Sequence, residues 1–216
     1  MPQITDMQIQ KKDKTRANVY LDGEFAFALE MVTVMRLGLK IGAEVSAEVL
    51  AEAVFDTEKS VAFGKTVDYL ARGMKTVKQT TDYLQGKGYS PQVVEYVIDK
   101  LLSYGYLNDE AYAKAYSLQN SGNKGSRRIS QELMQRGVGK DLAQESSKQE
   151  KDFSLQKATL LAGKYMRGKV ADVKNCQRLQ RYLLSRGYDY DVTSSVVRSY
   201  RQQSEVYDGS SEDYDY

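Results

Sequence analysis

Residues 83–102 read YLQGKGYSPQVVEYVIDKLL, residues 132–149 read ELMQRGVGKDLAQESSKQ, and residues 182–200 read YLLSRGYDYDVTSSVVRSY. These are three copies of one pattern. A leucine (Leu84, Leu133, Leu183) is followed after two residues by a basic residue and a glycine (Lys87-Gly88, Arg136-Gly137, Arg186-Gly187), then by an apolar or aromatic residue. Glycine in that place suits a helix C-cap, where the chain takes a positive φ that other residues resist. An amphipathic stretch precedes each glycine and a further helix follows it. The basic residues lie 49 and then 50 residues apart, and a fixed period of that size marks a repeat array.

Each period holds three helices of ordinary length. They are expected near 61–72, 76–86 and 90–103, then 109–121, 126–136 and 139–150, then 153–166, 172–186 and 189–203. Ser90-Pro91 supplies an N-cap and a proline at the first helical position, and Val94, Ile98, Leu101 and Leu102 follow as an apolar stripe. A single unit of this size has a thin core, so stacking is expected to give an elongated, curved body.

The front of the chain reads differently. Residues 17–29, ANVYLDGEFAFAL, are two β-prone runs around Asp22-Gly23. Asp-Gly between such runs marks a type I′ hairpin, because both central residues need positive φ. A small antiparallel sheet is expected over about 3–30, and a helix over 46–55 behind Ser46 as N-cap. The fold class is therefore mostly α, with three tandem three-helix repeats behind a small β-hairpin-containing region. The expected divisions are 1–58 for that region, 59–107, 108–152 and 153–203 for the repeats, and 204–216 for an acidic, disordered tail.

Composition excludes much chemistry. The chain has no histidine and one cysteine, Cys176. That removes the commonest general base, the usual zinc ligand sets and any internal disulfide. No run of apolar residues is long enough to span a bilayer, and the start lacks the form of a secretory signal. A cytoplasmic protein without membrane contact is expected. Gly64-Lys65-Thr66 resembles the end of a phosphate-binding loop, but Lys59 stands where the first glycine should. A helix with its lysine in water is the preferred reading. No catalytic residue, metal site or cofactor is expected.

Charge is unevenly spread. Residues 157–204 carry 10 basic and 3 acidic side chains, while the last twelve residues, EVYDGSSEDYDY, carry 5 acidic and none basic. A basic body of this kind suits a polyanionic partner. Two clusters stand out. In the middle repeat, Lys124, Arg127, Arg128 and Arg136 frame a glycine-rich loop leading into a helix; glycine permits close backbone approach, and arginine grips phosphate or carboxylate bidentately. In the last repeat, Lys164, Arg167, Lys169, Lys174, Arg178, Arg181 and Arg186 form a dense series. Lys174, Arg178 and Arg181 share one helix face. Tyr165, Tyr182 and Tyr188 are interspersed, as nucleic-acid surfaces often are, though packing is the commoner role for such tyrosines.

Two stretches resemble the RecX family of RecA regulators. Residues 105–117, GYLNDEAYAKAYS, look like its linking motif, and residues 124–138, KGSRRISQELMQRGV, look like its Lys-Gly…Arg-Ile…Glu-Leu…Gly-Val pattern. The resemblance covers about 60–203. Residues 75–88, KTVKQTTDYLQGKG, depart from it, with lysines and no arginine. The resemblance implies a non-enzymatic negative regulator that binds the RecA–single-stranded DNA filament. It would suppress ATP hydrolysis, strand exchange and filament growth, and so restrain recombination, DNA repair and the SOS response. The basic residues named above would be the filament or DNA contacts, with weak, salt-sensitive binding to free single- and double-stranded DNA, and the chain is expected to be a monomer. The alternative is a stand-alone helical DNA-binding protein of the transcription-regulator kind, which would show sequence-specific duplex binding.

Overall fold

The structure, a computed structural model, describes residues 1–11, 13–148 and 151–209, with the backbone alone for 203–209. By internal contact the chain forms two compact units. The first comprises Met1–Lys75 and Thr80–Leu107, the second Thr76–Gln79 and the chain from Asn108 onward.

The first unit opens on an antiparallel sheet of β1 (Ile4–Ile9), β2 (Arg16–Leu21) and β3 (Glu24–Glu30), in that order. The β2–β3 turn is Asp22-Gly23 with φ of 50° and 88°, as a type I′ hairpin requires. The buried positions of the sheet, Ile4, Ala17, Val19, Phe27 and Leu29, pack with Val34, Leu39, Val45 and Ala53 from the following segments. Helix α1 (Met31–Arg36) leads to α2 (Ala47–Leu70), then α3 (Val77–Gly86) and α4 (Pro91–Ser103).

The helices expected at 46–55 and 61–72 are one continuous helix. No glycine or proline interrupts residues 56–61, so nothing there breaks the backbone ladder. Ion pairs of Asp56 with Lys59 at 2.6 Å and with Arg36 at 2.5 Å brace that stretch. The expected boundary at 58 thus falls inside α2. Gly64-Lys65-Thr66 lies in the same helix, and the buried Thr66 hydroxyl donates to the Ala62 carbonyl at 2.7 Å. That local bond and helical backbone leave no phosphate loop there. In α4, Val93, Val94, Val97, Ile98 and Leu101 are buried, while Leu102 is exposed.

The second unit contains α5 (Asp109–Asn120), α6 (Ser126–Gln135), α7 (Lys140–Ser147), α8 (Lys151–Met166), α9 (Val173–Ser185) and α10 (Tyr190–Gly209). Side chains cap four helices in the chain's last two-thirds among the described residues: Thr76 accepts from Gln79 N, Ser90 from Val93 N, Asn108 from Ala111 N, and Asp172 from Asn175 N. One core gathers Ala113, Ile129, Leu133, Val138 and Ala143, and another gathers Ala158, Ala162, Cys176, Leu179, Leu183, Tyr188 and Val196. Helix α10 runs on into the expected acidic tail as far as Gly209; residues 210–216 lie outside the described residues.

The repeated motif proves to be one device used three times. Gly88, Gly137 and Gly187 have φ of 82°, 92° and 88°. The next residue's amide donates back to the motif leucine in each case: Tyr89 to Leu84, Val138 to Leu133, Tyr188 to Leu183. This is the Schellman end, in which the residue after the glycine also packs on that same leucine's turn. The motif therefore encodes a helix stop and a core contact together. All three leucines are fully buried.

Candidate functional site

Among the described residues no group of His, Cys, Asp and Glu could hold a metal ion, and no helix is long and apolar enough to cross a membrane. The features with chemical character are cationic, and they gather where the end of α9 meets the start of α6.

The approach there is between backbones. Gly125 N donates to the Arg186 carbonyl at 3.0 Å. A Cβ on Gly125 would lie 2.2 Å from the Gly187 carbonyl oxygen, and one on Gly187 would lie 2.4 Å from Cβ of Arg128. The glycine that the sequence suggested for close approach to a partner thus serves contact between the middle and last repeats. This contact brings Lys124, Arg127 and Arg128 alongside Arg186. Two adjoining clefts result: one of about 420 Å³ lined by Lys124, Arg128, Tyr182, Ser185 and Arg186, and one of about 510 Å³ lined by Arg127, Arg128, Gln131, Leu184, Ser185 and Gly187.

These cations differ in what they already hold. Glu132, on the inner side of α6, is nearly buried. Its Oε1 accepts from Arg128 Nε at 2.8 Å; its Oε2 accepts from Lys124 Nζ at 2.6 Å and from the Tyr116 hydroxyl at 2.5 Å. Burial pushes the Glu132 carboxyl up, but the bonds from Lys124, Tyr116 and Arg128 outweigh it and hold the group at about 2. Burial, and then donation to Glu132, raises the Tyr116 phenol. Arg136 lies 4.5 Å from the Tyr116 ring centre and donates to the Glu132 carbonyl at 3.0 Å. By contrast, Arg127 and Arg186 are exposed and have no ion-pair partner among the described residues.

The rest of the basic series is spread out. Lys174, Arg178 and Arg181 line the exposed face of α9, opposite Cys176, Leu179 and Leu183. Lys164, Arg167 and Lys169 lie exposed at and just past the end of α8, where Lys169 Nζ sits 3.5 Å from the Tyr165 ring centre. Arg136 is not in the clefts. Tyr188 is fully buried, whereas Tyr165 and Tyr182 stack on each other at 4.5 Å. Sequence reading did not find Glu132 or Tyr116. A signal was present for the first: Glu132 occupies the repeat position held by Tyr83 and Tyr182.

Comparison with known proteins covers nearly the whole chain. Four family profiles match in order: the regulatory protein RecX N-terminal domain over residues 2–46, and the first, second and third three-helix domains of RecX over 62–101, 108–146 and 152–197. A regulatory protein RecX from Clostridium botulinum (strain Eklund 17B) is 35% identical over 203 residues, covering 92% of this chain and 96% of that protein. One from Bacillus subtilis is 29% identical, covering 91% and 76%. A crystal structure of regulatory protein RecX superposes with a TM-score of 0.76 at 25% identity, covering 91% of this chain and 98% of the other.

Proposed function

We propose that this chain, which belongs to the RecX family of regulatory proteins, is a non-enzymatic negative regulator of RecA. It binds the RecA–single-stranded DNA filament and suppresses ATP hydrolysis, strand exchange and filament growth. In the cell it acts in the cytoplasm, as a monomer, to restrain recombination, DNA repair and the SOS response.

The observation that carries this reading is the cationic seam where α9 ends against α6. Arg127 and Arg186 stand exposed, with no ion-pair partner among the described residues, at a junction whose backbone spacing is set by Gly125 and Gly187. Guanidinium groups on a rigid frame need little ordering to grip phosphate or carboxylate. The exposed rows of α8 and α9 (Lys164, Arg167, Lys169, Lys174, Arg178 and Arg181) extend the positive surface. Nothing in the seam resembles a nucleophile with its base, so the action is steric and electrostatic.

The test compares binding to RecA-coated single-stranded DNA with binding to the same DNA bare. Tighter binding to the filament is expected, with weak and steeply salt-dependent binding to bare DNA. R127A/R186A should lose filament affinity with its helical content intact. Equal affinity for both forms would remove RecA from the account and favour a stand-alone DNA-binding protein.

A further inference from the structure

The three repeats carry related stacks of tyrosine and cation, and their differences are informative. In the first, Tyr69 and Tyr83 stack at 4.2 Å with planes 2° apart. Lys75 lies 5.3 Å from the Tyr69 ring centre and Lys87 lies 5.8 Å from that of Tyr83. A ring at 4.2 Å fills one face, so each lysine takes the outer face of its own ring. In the third, Tyr165 and Tyr182 stack in the same way, with Lys169 on the outside of Tyr165 and Arg186 5.2 Å from the Tyr182 centre. Both are four-layer sandwiches, cation–Tyr–Tyr–cation.

The middle repeat begins the same stack and does not finish it. Tyr116 meets Glu132, the residue before the motif leucine, as Tyr69 meets Tyr83 and Tyr165 meets Tyr182, and it has Lys124 at 5.6 Å and Arg136 at 4.5 Å. The second tyrosine is replaced by Glu132. Its carboxylate takes up Lys124 and Arg128 from inside the protein.

We infer that the sandwiches of the first and third repeats are paired sites for the backbone phosphates of a nucleic acid, and that Glu132 closes the equivalent site of the middle repeat. Two copies of one device in one chain suit a ligand whose charge repeats along its length. A cation resting on a ring keeps its hydrogen-bond donors directed outward, and its side chain is already partly ordered, so less entropy is lost on meeting phosphate. In Lys87, Lys169 and Arg186 the cation-bearing residues are exposed. In the middle repeat both cations on the Tyr116 ring are already bonded to Glu132, Lys124 to its carboxylate and Arg136 to its backbone carbonyl, and Arg128 takes the other carboxylate oxygen. The first repeat, which lacks arginine over residues 75–88, thereby gains a binding role through lysine and tyrosine.

This inference deepens the proposed function and rests on its polyanion reading, but it is tested without RecA. The full chain is titrated with labelled oligothymidylate, and separately with a duplex, across a series of salt concentrations. Each phosphate contact on a single strand contributes about 0.7 to the slope of log affinity against log salt, and about 0.9 on duplex. K87A/R186A should lower the single-strand slope by about 1.4, taking two contacts at that value. Y83L/Y182L keeps every charge and should weaken binding several-fold with the slope unchanged, as positioning residues would. E132Q should raise the slope by releasing Lys124 and Arg128. The arm with the larger slope change, after division by about 0.7 for the single strand and about 0.9 for the duplex, identifies the strand form that the sandwiches grip. An unchanged slope in K87A/R186A on both probes, or in E132Q, overturns the inference, as does polyglutamate displacing the oligonucleotide as well as unlabelled DNA does. If those slopes are unchanged while Y83L/Y182L still inhibits RecA normally, the inference fails and the proposed function stands.

Discussion

Glu132 shows how one residue can hold a local network and be read from the pH dependence of stability. Its carboxyl sits at about 2 in the folded chain against an ordinary 4.5. A lowered folded-state value means the stabilisation is complete above about pH 4.5 and is lost as pH falls towards 2. The shift corresponds to an effect on the order of 3 kcal/mol. E132Q should therefore lower stability at neutral pH by about 1–3 kcal/mol. It should also flatten the acid limb between those pH values, as denaturant melts at several pH values will read. An acid limb in E132Q that matches the unsubstituted chain would show that Glu132 is not its source. The glycines at the junction are equally specific. G125A places a methyl group 2.2 Å from a backbone oxygen, and the backbone has to move. A loss of about 1–3 kcal/mol is expected, seen as a lower melting temperature. G122A, with nothing within 4 Å of its added carbon, serves as the control.

Helix ends decide most of the architecture. Each Schellman end joins a positive-φ glycine to a buried leucine, so the motif fixes where a helix stops and which side faces the core. L183A should cost about 2–5 kcal/mol, because Leu183 is fully buried beside Leu179, Tyr188 and Val192. N108A should cost about 1 kcal/mol through loss of the cap to Ala111, measured by thermal melting. These local signals explain what was legible in the sequence: Asp22-Gly23, Ser90-Pro91 and the three Leu-x-x-basic-Gly motifs each dictate geometry within a few residues. What failed to show is what depends on distance. The continuity of α2 through residues 56–61 follows from the absence of a breaker and from Arg36, a residue twenty positions away, pairing with Asp56. In the candidate site, the positive charges were visible as residue types. Their division into cations held by Glu132 and cations left open was not, because it depends on which residues the helices bring together.

Across the whole molecule, the charge pattern and the repeats point the same way. The family profiles run in order from residue 2 to residue 197, and the repeats reuse one helix-stop device while varying what they present. The chain has no histidine, and its single cysteine is buried in a core. Regulation of RecA is read most directly from RecA's ATP hydrolysis on single-stranded DNA as this protein is titrated in, beside a helical protein of similar charge. Inhibition is expected at well below one chain per RecA protomer, and not with the control. Hydrolysis that continues unchanged at a molar excess of the chain would contradict it.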